Sequence, residues 1–251
     1  MSQKNSFVRR GPEKPLYPVL LSVPHAGRDY PVAFTLLTRL PMASLAVLED
    51  RYADALVDHA VAEGCQALVQ TVPRAWMDLN RGEREYDPAL VMQGALAPPM
   101  ITAKVRGGLG VIPRRIANGG DIWRGRISPE AFEARLSQCY RPYHAALAHM
   151  IDQILSQFGV AVIIDLHSMP PITAIPSQPE PPKIVIGDLY GRSAASPFAE
   201  AALSCLRDEG LPVALNSPYA GGAIIDQHGA PTRNVHALQI EIDRSLYLDA
   251  H

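Results

Sequence analysis

Two apolar runs, residues 17–23 and 160–164, restrict the fold of this chain more than anything else in it. Each is nearly continuous, so neither reads as a strand with one wet face, and each is too short for an ordinary helix. Such runs belong to strands buried on both faces of a sheet. Along the rest of the chain, strand-length apolar runs alternate with amphipathic helical stretches, the pattern of an α/β sheet flanked by helices. Further strands are expected at 66–72, 183–187 and 237–243. A helix is expected over 44–63, with Leu45, Leu48, Tyr52, Leu56 and Ala60 as its apolar stripe and Gly64 as its stop. A second runs from the Ser128 cap through Pro129 to about residue 158, before Gly159, and a third over 196–209. Between 76 and 128 the periodicity fades while Gly, Pro and Arg accumulate, which predicts recognition loops, and a proline-rich loop is expected up to residue 182.

The composition excludes several classes. With 47% hydrophobic and 19% charged residues, the 251-residue chain is an ordinary globular protein rather than a disordered one. A net charge of -2 gives no electrostatic reason to expect a nucleic-acid partner. Cys65, Cys139 and Cys205 are too few and too scattered for a disulfide framework or a thiolate metal knuckle. The short apolar run that follows the charged first segment is interrupted at Pro24, which suits neither a secretion signal nor a membrane span. A cytoplasmic protein with no membrane partner is expected, organised as a flexible leader, 1–16, and a single domain, 17–251.

Both of the constraining runs deliver a histidine at the carboxyl end, His25 after VLLSVP and His167 after VAVIIDL. That edge of an open α/β sheet is where ligands bind. One such histidine is ordinarily a hydrogen-bonded structural residue. Two, each beside a small residue that leaves room, point to metal ligation, and zinc with three protein ligands and a water suits neutral imidazoles. Asp165 is either a partner orienting an imidazole or a strand-end residue. In Trp76-Met77-Asp78-Leu79-Asn80-Arg81, extended backbone places Asp78 and Asn80 on one face. Asn with Arg makes a planar donor set for a carboxylate, the alternative being a surface ion-pair corner. Near the end of the chain, alternation puts Gln239, Glu241 and Asp243 on one side and Leu238, Ile240 and Ile242 on the other. A carboxylate amid an apolar strand is costly without a metal, a partner or a proton, so Glu241 is a candidate general base, or else an edge residue facing water.

The order of these segments resembles the N-formylglutamate amidohydrolase family: His25 in SVPHAG, an acidic residue in LED, then DLNR, His167 in DLHS and Glu241 in LQIEIDRSLY. RPYHAAL at 141–147 and PYAGG at 218–222 add to the match, which covers about 18–247. The resemblance implies a fold similar to the zinc carboxypeptidases and aspartoacylases, a three-layer α/β/α arrangement with a mixed, mostly parallel central sheet. It implies hydrolysis of the amide of an N-acyl acidic amino acid, foremost N-formyl-L-glutamate to formate and L-glutamate, with one Zn2+ per chain. Metal ligands would be His25, Asp50 and His167. In the wider group a glutamate follows the first histidine by three residues; here that position is Arg28, which cannot bind a cation, and of the acidic pair Glu49-Asp50 we take Asp50. Asn80 and Arg81 would hold a substrate carboxylate and Glu241 would act on the attacking water. A dicarboxylate needs a second cation. Of Arg114, Arg115, Arg124 and Arg126 we choose Arg124 or Arg126, each otherwise a solvated surface charge. His144 is read as packing or hydrogen bonding to the site wall. The rival readings are a related zinc amidohydrolase or peptidase acting on another N-acyl amino acid or peptide, and a relative that binds without turnover. The sequence leaves the oligomeric state open.

Overall fold

The computed structural model describes residues 6–116, 120–173 and 180–249. Its main sheet has seven strands: β1 (Phe7–Arg10), β2 (Val19–Val23), β3 (Gln66–Gln70), β6 (Ala161–Met169), β7 (Ile184–Gly187), β8 (Val213–Leu215) and β9 (Val235–Asp243). Their order in the sheet is β1-β3-β2-β6-β9-β7-β8. The pairs β2–β6, β6–β9 and β7–β8 are parallel, and β7–β9 is antiparallel. The protein is thus α/β with a large mixed, mostly parallel sheet. The strands β3 and β7, each one in from an edge of the sheet, are buried throughout, and β2 at every residue but the first, as continuous apolar runs require. A separate two-stranded ribbon pairs β4 (Arg115–Ile116) with β5 (Gly120–Asp121).

Contacts gather the chain into two compact units. One combines the segment up to Arg9 with Pro24–Asp54 and Leu68–Leu147; the other combines Arg10–Val23, Ala55–Ala67 and Ala148–His251. Within the first, an aromatic core forms where Phe34 meets Trp123 at 5.0 Å and Tyr30 at 5.2 Å between ring centroids. The loop after β2 approaches a neighbouring backbone so closely that a Cβ on Gly27 would lie 2.1 Å from the Val72 carbonyl oxygen. Only glycine fits there. Within the second unit β6 and β9 pair along their whole length, and the helix Ser196–Asp208 presents buried Ala199 and Leu203.

Several elements depart from the sequence expectation. The residues at 44–63 do not form one helix. They divide into a helix at Met42–Leu45, a 3-10 turn (Ala46–Leu48) and a helix at Asp58–Ala62, with Tyr52 in the left-handed region at φ 61°. Leu45 and Leu48 are buried, but Tyr52 and Leu56 face solvent. The reason is tertiary: at Glu49 the chain turns extended, and the Asp50 amide donates to the His25 carbonyl at 3.0 Å. That bond is incompatible with continuing the helix. The expected helix at 128–158 is present as a helix at Pro129–Arg135, a π-helical turn (Leu136–Tyr140) and a helix at Arg141–Phe158. The Ser128 hydroxyl caps it by accepting from the Ala131 amide, and Gly159, at φ 74°, ends it. Within the stretch expected to be a leader, Phe7–Arg10 make strand β1; Phe7 packs edge-on against Tyr143 at 5.8 Å. Residues 174–179 of the proline-rich loop lie outside the described residues. Among the described residues no helix is long and apolar enough to cross a membrane, and all three cysteines are free thiols.

Candidate metal centre and active site

His25 leaves β2 two residues after its end and is 1% exposed, with both ring nitrogens facing carboxylates. Its Nε2 bonds Asp78 Oδ1 at 2.8 Å, and its Nδ1 lies 3.5 Å from Asp50 Oδ2. Asp78 is fully buried. Burial opposes its ionisation, but Arg74, Arg81 and His25 outweigh that and hold its carboxyl well below the usual range. An ionised Asp78 accepts, so Nε2 is the donor and the Nδ1 edge is the one turned to Asp50. An imidazole nitrogen and a carboxylate oxygen this close in a buried place are a pair of donor atoms that one cation can bridge. Asp50, not Glu49, takes this place: Glu49 accepts from the Tyr30 hydroxyl and from Arg51 Nε. Arg28 is turned away, paired with Asp54 through two parallel bonds of 2.9 and 3.0 Å.

The second histidine belongs to a row of polar side chains across adjacent strands. Ser22, Asp165 and Gln239 are register partners on β2, β6 and β9, and His167 and Glu241 are partners one step further along. In parallel strands register partners project to the same face, and residues two apart share it. Asp165 is the hub. Its Oδ1 accepts from the Ser22 hydroxyl and its Oδ2 from His167 Nε2, both at 2.8 Å. Glu241, half-buried beside His167, accepts at Oε1 from the Gln239 amide at 2.9 Å. His25 and His167 therefore repeat one device: Nε2 is held by a buried carboxylate, leaving the Nδ1 edge as the ligand side. Metal-binding imidazoles have this support. Atoms of His25, Asp50 and His167 able to ligate a metal lie within 4.8 Å of one another, and all three residues are buried. Two imidazoles and one carboxylate are a fitting donor set for zinc.

The DLNR segment plays a further part that the sequence reading did not assign, since its Asp78 meets His25. The Asn80 amide donates to Asp78 Oδ1 at 2.9 Å. Arg81 Nε donates to the Leu109 carbonyl and Nη1 to the Asn80 carbonyl, while Nη2 makes no hydrogen bond among the described residues. Arg124 is exposed, with Nε on the Thr38 carbonyl. Arg126 is also exposed, bonding the Pro88 and Val91 carbonyls, and lines a cleft of about 180 Å³ with Arg39 and Arg114. Arg114 pairs there with Asp87 and Asp121, and Arg115 with Asp121. His144 bonds the Leu79 carbonyl through Nε2 at 3.1 Å, and burial pushes its pKa down to about 4. Two residues that the sequence reading left unassigned, Tyr219 and Arg244, sit electrostatically close to one another, and Tyr219 also senses Glu241. Burial first, and Glu241 second, push the Tyr219 hydroxyl up. Their signal was the quoted PYAGG and LQIEIDRSLY segments, which carry both.

Known proteins resemble this chain in sequence and in fold. The sequence model of the N-formylglutamate amidohydrolase family matches residues 17–248. An N-formylglutamate deformylase of Pseudomonas putida is 27% identical over 92% of this chain and 82% of its own length. Its counterpart in Pseudomonas aeruginosa is 28% identical with the same coverage. The crystal structure of an N-formylglutamate amidohydrolase from Ralstonia eutropha superposes with a TM-score of 0.89 at 31% identity, covering 97% of this chain and 88% of that one. A gene product from Agrobacterium tumefaciens, 19% identical, shares the fold with a TM-score of 0.70 over 98% of this chain and 87% of its own.

Proposed function

Because the chain belongs to the N-formylglutamate amidohydrolase family, we propose that it hydrolyses the amide bond of N-formyl-L-glutamate to formate and L-glutamate, using one zinc ion held by His25, Asp50 and His167. The observation that carries the reading is the buried trio itself, with an ionised or buried carboxylate behind each imidazole. We treat 17–251 as one amidohydrolase domain, since the family match runs unbroken over 17–248.

When bound, zinc supplies Lewis acidity that polarises the formyl carbonyl and makes water easier to deprotonate. The chain's own groups do the rest. Glu241, held at Oε1 by Gln239, takes a proton from the attacking water and returns it to the glutamate nitrogen. A bond forms between the water oxygen and the formyl carbon, the carbon–nitrogen bond breaks, and the remaining proton of the formic acid passes to the freed amine, leaving formate and the ammonium form of L-glutamate. Arg81, through its unused Nη2, and Asn80 hold one substrate carboxylate. Arg126 or Arg124 binds the other; the cleft that Arg126 lines with Arg39 supports Arg126 of the two.

The test is Glu241→Gln. It should keep zinc at full stoichiometry and lose turnover of N-formylglutamate by about 10²–10⁴-fold, the usual contribution of a positioned base. Undiminished hydrolysis by the zinc-loaded variant would remove Glu241 from the mechanism.

A further inference from the structure

Three side chains along one stretch of helix donate to three carbonyls of the segment that carries Asp78. Arg135 Nη1 meets the Trp76 carbonyl at 3.4 Å, His144 Nε2 the Leu79 carbonyl at 3.1 Å, and the Tyr140 hydroxyl the Arg81 carbonyl at 2.9 Å. All three are buried. The helix should not be able to do this. In an unbroken α-helix each residue turns by about 100°, so Arg135 and His144 would stand about 180° apart, and Arg135 and Tyr140 about 140°. The π-helical turn Leu136–Tyr140 admits one extra residue, which takes back about 100° and brings all three within about 80° of each other. The register defect is therefore what creates the face.

The face is also built to hold still. The Arg135 guanidinium lies 3.5 Å above the Trp76 ring and 4.7 Å from that of Trp123, with no carboxylate in ion-pair reach among the described residues. The imidazole of His144 packs on the Tyr140 ring at 4.3 Å. A buried guanidinium with no acid in ion-pair reach among the described residues keeps its donors for backbone carbonyls.

We propose that Arg135, Tyr140 and His144, aligned by the π-helical turn, are positioning residues that clamp the backbone of the 76–81 segment and so hold Asp78 against His25 and Arg81 towards substrate. They belong neither to the proposed ligand set nor to the proposed carboxylate grip. Their effect on zinc rests on the ligand set proposed above, whereas their effect on the segment does not.

The experiment compares Tyr140→Phe, His144→Leu and His144→Gln with the parent in the full chain. Phenylalanine removes only the hydroxyl donor, leucine removes the imidazole donor, and glutamine restores an N–H able to reach the Leu79 carbonyl. Exchange of the Asn80 amide, which reports its bond to Asp78, should speed up by about tenfold or more in Tyr140→Phe and His144→Leu, and return to the parent rate in His144→Gln. Zinc affinity, measured by competition with a chromophoric chelator, should fall about 10-fold or more in the first two and recover in the third. KM for N-formylglutamate should rise more in Tyr140→Phe, whose lost bond is to Arg81, than in His144→Leu. Parent-like exchange and zinc affinity in folded Tyr140→Phe and His144→Leu would overturn the proposal. So would His144→Gln failing as badly as His144→Leu, which would make the effect one of packing. If the parent itself takes up no zinc, the ligand assignment falls, and amide exchange alone still decides whether the clamp exists.

Discussion

His144 lets a pH effect be worked out from one buried ring. Burial lowers its pKa from 6.5 to about 4, and the bond to the Leu79 carbonyl opposes this only in part. In the unfolded chain the ring takes a proton as the pH falls through about 6.5, while in the folded protein it does so only near 4. Between those values the unfolded state binds more protons, so stability falls as the pH falls. The contribution is complete above 6.5 and is lost progressively down to 4. One pKa unit is about 1.4 kcal/mol, so the full loss is about 3 kcal/mol, of which about 2 kcal/mol has gone by pH 5. His144→Gln keeps a donor for Leu79 and removes the titration. Thermal midpoints of parent and variant, recorded in the presence of a chelator at pH 7.5 and pH 5, isolate the effect. For a chain of this size the parent should lose about 4–8 °C more than the variant over that interval. Equal losses would mean that the ring is not held neutral by burial, and the reasoning would fail.

Other perturbations reach the site from different sides. Asp165→Asn removes the charge behind His167 and weakens the acceptor of the Ser22 hydroxyl; zinc affinity should fall about 10–100-fold by chelator competition, with the fold intact by circular dichroism. Asp78→Asn leaves Arg74 and Arg81 beside a neutral amide at a fully buried position, so the protein should lose about 3 kcal/mol, a fall of about 6–12 °C in thermal midpoint. Arg126→Ala should raise KM for N-formylglutamate well above the change seen with Arg124→Ala, because Arg126 lines the cleft with Arg39; steady-state kinetics showing the reverse order would move the second carboxylate to Arg124.

Much of the architecture was legible in the order of residues. A run such as Val19–Val23 does not alternate apolar with polar residues, so it reads as a strand covered on both sides, and a chain of such runs separated by helices has few options but an α/β sheet. Alternation likewise puts Glu241 and Gln239 on one face of β9 without any knowledge of its neighbours. What no local pattern carries is which distant group completes a hydrogen bond. That His25 would meet Asp78, that Asp165 would be shared by Ser22 and His167, and that the helix expected at 44–63 would give way to a bond between the Asp50 amide and the His25 carbonyl depend on strand register and loop packing. The π-helical turn is of the same kind: residues 136–140 have ordinary helical character, and the extra residue is admitted because three donors gain partners across the gap. Hydrophobic burial follows from each residue's own chemistry and can be read position by position. Polar satisfaction is a property of pairs, and only the folded chain decides the pairs.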